Sequence, residues 1–210
     1  MRARAVAFAL AFFASARAYA QTEPSAEALE TARRLFAEGV TAAESNRWEE
    51  ARERFTRAFE IHHAPSIRFN LALAHQNTGS LLEAIEHYRQ FLREVPDGTD
   101  AARVAAARAQ IEALSPRLAQ LRVETTGDTA RSFSLDGRAQ PLAMLGVDVP
   151  VNPGPHTVDV EGAAGDRQRR EGAVYESERM RVSIELSPTP AIRPAGVWQP
   201  RSQPFGHWVA

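Results

Sequence analysis

The chain of 210 residues contains no cysteine, which removes disulfides and thiolate metal sites. It contains no lysine: all 25 basic residues are arginine, which we read as a compositional habit without functional meaning. The formal net charge is −1, so no basic excess points to nucleic acid. The sequence has no Gly-x-Ser-x-Gly elbow, no phosphate-cradling loop, no dinucleotide fingerprint and no His-Glu-x-x-His run. The pair Glu49-Glu50 falls at a helix start, where negative charge is favoured, and nothing suggests the desolvated cleft that acid–base chemistry needs. These absences lead to the expectation of a non-enzymatic protein with no cofactor and no metal.

Long apolar runs are also scarce. One occupies Ala5 to Ala16, behind Arg2 and Arg4 and ahead of the small-x-small triplet Ala18-Tyr19-Ala20. It is shorter than the roughly 20 residues a bilayer span requires. Residues 1–20 therefore read as a signal peptide cleaved after Ala20, with a retained amphipathic anchor as the alternative. The expected location is periplasmic or secreted, with no membrane span in the mature chain. Loss of Arg2, Arg4 and Arg17 leaves that chain more acidic than the whole.

What is present is a repeated pattern between Arg47 and Pro96. Ala51, Phe55 and Ala58 recur as Ala84, Tyr88 and Phe91, 33 positions on. At helical spacing each trio lies on one face. Each copy follows another apolar helix carrying a glycine, Gly39 or Gly79. Two-helix units at this period cannot bury their faces alone and must stack. Pro65 and Pro96 are expected to stop the first and second units, since proline cannot continue a helix. The predicted helices run from Ser25 to about Ser45, from Trp48 to near His62-His63, over Ser66–Asn77, over Leu81–Val95 and over residues 101–114. The third is apolar on two faces, with Ile67, Leu71 and Ala74 on one and Phe69 and Leu73 on the other. The fifth is alanine-rich and reads as a cap on the array.

This pattern resembles the tetratricopeptide (TPR) repeat family over about Glu27–Asp97. Leu35, Gly39, Ala51, Phe55 and Ala58 fall on the family's pattern in the first repeat, and Leu71, Ala84, Tyr88 and Pro96 in the second. Ala42, Ala72 and Phe91 depart from it, standing where the family prefers tyrosine, glycine and alanine. The resemblance implies a protein-binding module over residues 21–115. It also implies a groove lined by Arg33, Phe36 and Val40, by Phe69, Asn70, Leu73, Gln76 and Asn77, and by Arg103. In that groove Asn70 and Gln76 would hydrogen-bond a ligand backbone. The alternative is that these residues pack against the fifth helix or the β-half, and both readings stay open.

Past Leu118 the apolar period changes from about 3.6 to 2. Leu121, Val123 and Thr125 alternate, as do Phe133 and Leu135, Val147 to Val151, Val158 and Val160, and Met180 to Leu186. Turn signals such as Asp136-Gly137 and Asn152-Pro153-Gly154-Pro155 separate them. This predicts a small antiparallel β-sandwich of six or seven strands over residues 118–187, and so an α+β chain of two domains. Leu135-Asp136-Gly137, Val149-Pro150-Val151, Pro153 to Val158 and the strand from Arg179 to Leu186 resemble the PEGA domain, a small β-module of bacterial exported proteins. That resemblance implies a binding or spacer role. Residues 188–210, rich in proline, read as a disordered tail whose Trp198, Phe205 and Trp208 form a candidate docking motif.

Two clusters have competing readings. His62-His63 with His75 or His87 would be metal ligands, or else histidines favoured at a helix C-terminus. Arg167, Arg169 and Arg170 would meet an anionic polysaccharide or lipid head group, or else blunt a strand edge. The functional expectation is a protein-binding adaptor or scaffold of the bacterial cell envelope, with an unidentified envelope protein or peptide as partner. The alternative is a cell-wall or surface glycan-associated protein that binds through its β-half.

Overall fold

The computed structural model describes residues 24–187. The expected leader over residues 1–20 and the tail over 188–210 lie outside the described residues. Among the described residues the fold is α+β: five helices come first, and seven strands in two sheets follow.

Helix α1 spans Ala26–Glu44. Ser25 caps it as expected, its hydroxyl accepting from the Ala28 amide at 3.2 Å. Helix α2 is Trp48–Ile61, α3 Pro65–Asn77, α4 Leu81–Glu94 and α5 Ala101–Leu114. Pro65 does not end a unit: it occupies the first turn of α3, where its missing N–H is no loss. The helices pack in series, each on the next. Ala51, Ala58 and Ala84 are fully buried, and beside them Phe55, Tyr88 and Phe91 fill the larger spaces. The α1–α2 crossing is close: a Cβ built on Gly39 would lie 2.6 Å from the Phe55 ring. On α3, Ile67, Leu71 and Ala74 are buried while Phe69 and Leu73 are half-buried, as its two apolar faces predict. Helix α5 buries Ala107 and Leu114 against α4 and exposes most of its other residues.

The strands are β1 Ala119–Gly127, β2 Ala130–Leu135, β3 Arg138–Gln140, β4 Asp148–Val151, β5 Gly154–Gly162, β6 Arg167–Val174 and β7 Arg179–Leu186. One sheet has the order β4-β1-β7 and the other β3-β2-β5-β6. Alternate residues face a shared core of Leu121, Val123, Phe133, Val158, Val160, Ile184 and Leu186, among others. The expectation of a wholly antiparallel sandwich needs one correction. β1 and β7 run parallel, in register from Gln120↔Arg179 to Gly127↔Leu186. A parallel pair needs a long crossover, and here the connection contains the entire second sheet. β3 and β6 are further strands beyond those the alternation marks. β6 is an edge strand, so the arginine cluster does stand on a strand edge. Arg167 pairs with Glu161 at 3.2 Å and Arg169 with Asp159 at 2.6 Å.

Candidate functional site

Arg33 and Phe36 line a cleft of about 250 Å³ with Leu29, His62, Ser66 and Ile67, where α1 meets the start of α3. Arg33 is exposed, with Glu30 3.5 Å away. Phe36 is half-buried, its ring 5.5 Å from that of Phe55. Val40 packs on the neighbouring cluster of Ala42, Ala51, Phe55, Leu71 and Ala74.

The predicted residues on α3 belong to different surroundings. Phe69 lies edge-on to Tyr88 and Phe91, with centroids 5.5 and 5.3 Å apart, and the Arg103 guanidinium lies 5.8 Å from its ring. It thus joins α3, α4 and α5. The Tyr88 hydroxyl donates to Gln76 Oε1 at 3.1 Å, and burial pushes that phenol well above its usual range. Asn70 and Asn77 donate to the carbonyls one turn back, Ser66 at 2.9 Å and Leu73 at 2.8 Å. Their amide oxygens have no protein partner among the described residues. Leu73 is half-buried, and Arg103 pairs with Asp100 at 2.8 Å. The structure therefore brings Arg33 with Phe36, and Phe69 with Arg103, as two separate groups.

Three further constellations form through pairings that sequence reasoning does not give. The first is Arg68, buried on α3, whose guanidinium holds the Glu94 carboxylate at 2.7 and 2.8 Å and donates to Gln90. The same group lies 4.3 Å over the Phe59 ring, so one cation ties α2, α3 and α4 together. Nothing in its local sequence marks it.

The second is a stacked pair, His75 of α3 on His87 of α4, with centroids 5.2 Å apart and planes 18° from parallel. Their Nδ1 atoms are buried, and neither has a hydrogen-bond partner among the described residues. His63 stacks on Phe59 instead, at 4.5 Å. Among the described residues, no three His, Asp or Glu side chains converge as a ligand set. Burial, then repulsion from His87, lowers His75 to about 4 against a smaller opposing pull from Glu83. Burial, then Arg68, lowers His87 as well.

The sign of the resulting pH dependence follows. In the unfolded chain these rings take up protons near 6.5, whereas in the folded protein His75 resists until about 4 and His87 is lowered as well. The unfolded state binds more protons in that window, so stability is complete above 6.5 and falls as pH drops toward 4. The urea midpoint is expected to be lower at about pH 4.5 than at about pH 7.5, and the double variant His75→Phe/His87→Phe to lose much of that difference. An acid response unchanged in the variant would place the titrating groups elsewhere.

The third constellation joins the helical half to the strand half. Ser80 precedes α4 but makes no side-chain cap. Asn152, in the turn after β4, supplies one: its Oδ1 accepts from the Leu82 amide at 2.7 Å and its Nδ2 donates to Glu83 at 2.7 Å. His156 of β5 holds the Asn152 carbonyl through Nε2 at 2.7 Å and faces Asp136 Oδ2 through Nδ1 at 2.7 Å. A cleft of about 350 Å³ borders these groups.

No protein-family model and no curated protein matches this sequence. No helix among the described residues is long and apolar enough to cross a membrane.

Proposed function

We propose that the protein is a non-enzymatic adaptor or scaffold whose helices α1–α4 form two TPR-type hairpins that bind a protein or peptide partner. The observation that carries the reading is the repetition of packing roles. Ala51 and Ala84 are both fully buried at the close contacts of their helices, and Phe55 and Tyr88 fill the space four residues on in each. Arrays of such hairpins expose one face of each unit's first helix, and on α1 and α3 that face carries Arg33, Phe36, Asn70 and Leu73. The α1–α3 cleft, apolar below and bordered by Arg33 and His62, has the character of a site for a short amphipathic segment.

In this reading the PEGA-like strand half is a second domain that spaces or orients the helices. Tyr175 is the only exposed Phe, Tyr or Trp among the described residues, which offers a glycan little to stack on, so protein binding is preferred. The reading also takes the chain to be exported, on the strength of residues 1–20.

Arg33 and Asn70 are surface residues whose exchange leaves the core intact. The double variant Arg33→Glu/Asn70→Ala is expected to lose a partner that the wild-type chain retains from an envelope extract, with thermal unfolding unchanged. Equal retention by both proteins would sink this assignment of the binding face.

A further inference from the structure

The Asn152 link to α4 is backed by His156, and what that ring can hold depends on the hydrogens it carries. The Asn152 carbonyl can only accept, so Nε2 must donate to it at 2.7 Å. The Asp136 carboxylate also accepts, so the 2.7 Å contact at Nδ1 needs a second ring hydrogen. Both contacts are complete only in the imidazolium form. Asp136 is fixed independently: it sits at φ 51° in the β2–β3 turn, and its Oδ1 accepts from the Thr157 amide at 2.8 Å. The carboxylate therefore cannot swing away without giving up a second bond.

We propose that this is a proton-dependent clasp between the halves. With both ring nitrogens of His156 protonated, the Asn152 backbone is pinned and its side chain caps the first turn of α4. Loss of one ring hydrogen sets a bare nitrogen against the Asp136 carboxylate, the ring turns, and Asn152 lets go of Leu82 and Glu83. The proton goes to solvent, no other covalent bond is made or broken, and the hydrogen bonds given up are those of Asn152 to Leu82 and Glu83.

The second point of attachment does not use this histidine. Near the 3₁₀ turn Ser115–Arg117, the Ser177 hydroxyl donates to the Pro116 carbonyl at 2.7 Å, and Arg117 pairs with Glu176. Release of the clasp thus leaves one hinge, at residues 115–118. The other charged groups around the ring are Glu83 of α4 and Arg138 of β3 on the cleft side, and Arg170 and Glu171 of β6 on the opposite side. Among these residue types, histidine is the one that ordinarily changes charge between about pH 5 and 8.

The absence of native cysteine allows a clean test on the full chain. Spin labels at Arg57→Cys on α2 and Ser183→Cys on β7, both exposed, report the separation of the halves. The expected result is one narrow distance distribution at about pH 5.5 and a broader, longer one at about pH 8.5. Asp136→Asn is expected to stay narrow at both, because its amide donates to the neutral ring while its oxygen keeps Thr157. Asn152→Ala is expected to be broad at both. A wild-type distribution that does not change with pH overturns the proposal, as does an Asp136→Asn chain that responds as the wild type does. The wild-type series alone decides the matter should a variant fail to fold.

Discussion

The Gly127→Ala variant is expected to lose the strand half at temperatures where the wild type keeps it. Gly127 ends β1 at φ 86°, opposite Leu186 in the parallel pair. A left-handed backbone costs a residue with a side chain about 1–2 kcal/mol. The contact is worse: a Cβ at 127 would stand 2.1 Å from the Leu186 carbonyl oxygen, which is backbone and cannot rotate away. β1 and β7 would have to part at this end, uncovering Ile184 and Leu186, both fully buried. Overpacking of this kind adds about 3 kcal/mol, a large share of the roughly 5–15 kcal/mol that holds a domain together. Gly137→Ala is the matched control, with φ 75° but open space where the Cβ would go. It is expected to cost only about 1 kcal/mol. Thermal unfolding followed by circular dichroism in the strand region separates the two. Equal losses would show that the Leu186 contact contributes nothing.

The second large effect is expected from Glu94→Ala. Arg68 is 7% exposed and has one carboxylate partner. Removing a partner from a buried pair costs about 3–5 kcal/mol, because the remaining charge cannot regain its water. The Glu94 side chain is 40% exposed, so water reaches part of the site, and about 2 kcal/mol is the better expectation. Arg68→Met/Glu94→Gln removes the charge together with its partner and is expected to be milder than Glu94→Ala. Denaturant unfolding of the singles and the double gives the coupling between the two positions. A Glu94→Ala midpoint equal to that of the wild type would mean that Gln90 and Phe59 hold the guanidinium unaided.

The helices are legible in the sequence because their decisive contacts lie within one or two turns. Ala51, Phe55 and Ala58 share a face through helix geometry alone, and the same trio recurs at 84, 88 and 91. The strands are legible where one face is buried, as in β5 with Val158 and Val160. β6 escapes the alternation, though its arginines mark an edge, because its stretch from Arg167 to Ala173 contains no buried residue and only Val174 at its end turns inward. It is a strand because β5 offers it a backbone ladder, not because it alternates. β3 escapes for a similar reason, being three residues carried along by the Asp136-Gly137 turn. The groove is legible only in part. A helix face marks Phe36 and Phe69 as apolar, but not that one meets Phe55 and the other Tyr88 and Phe91. Arg68, His75, Asn152 and His156 take partners from other elements, and no local signal announces those pairings. Only Asn152 reaches α4, and His156 and Asp136 stand behind it.

The parallel pairing of the first and last strands has a mechanical consequence. The chain enters the strand half at Ala119 and leaves it at Leu186, at opposite ends of two strands lying side by side. Tension along the polypeptide would pull β1 and β7 past each other instead of peeling them apart. All eight registered positions would bear the load together. An antiparallel pair joining the same two termini would open one rung at a time from a shared end. A spacer strung between two attachment points resists stretching best in the first arrangement, which is the one this chain adopts.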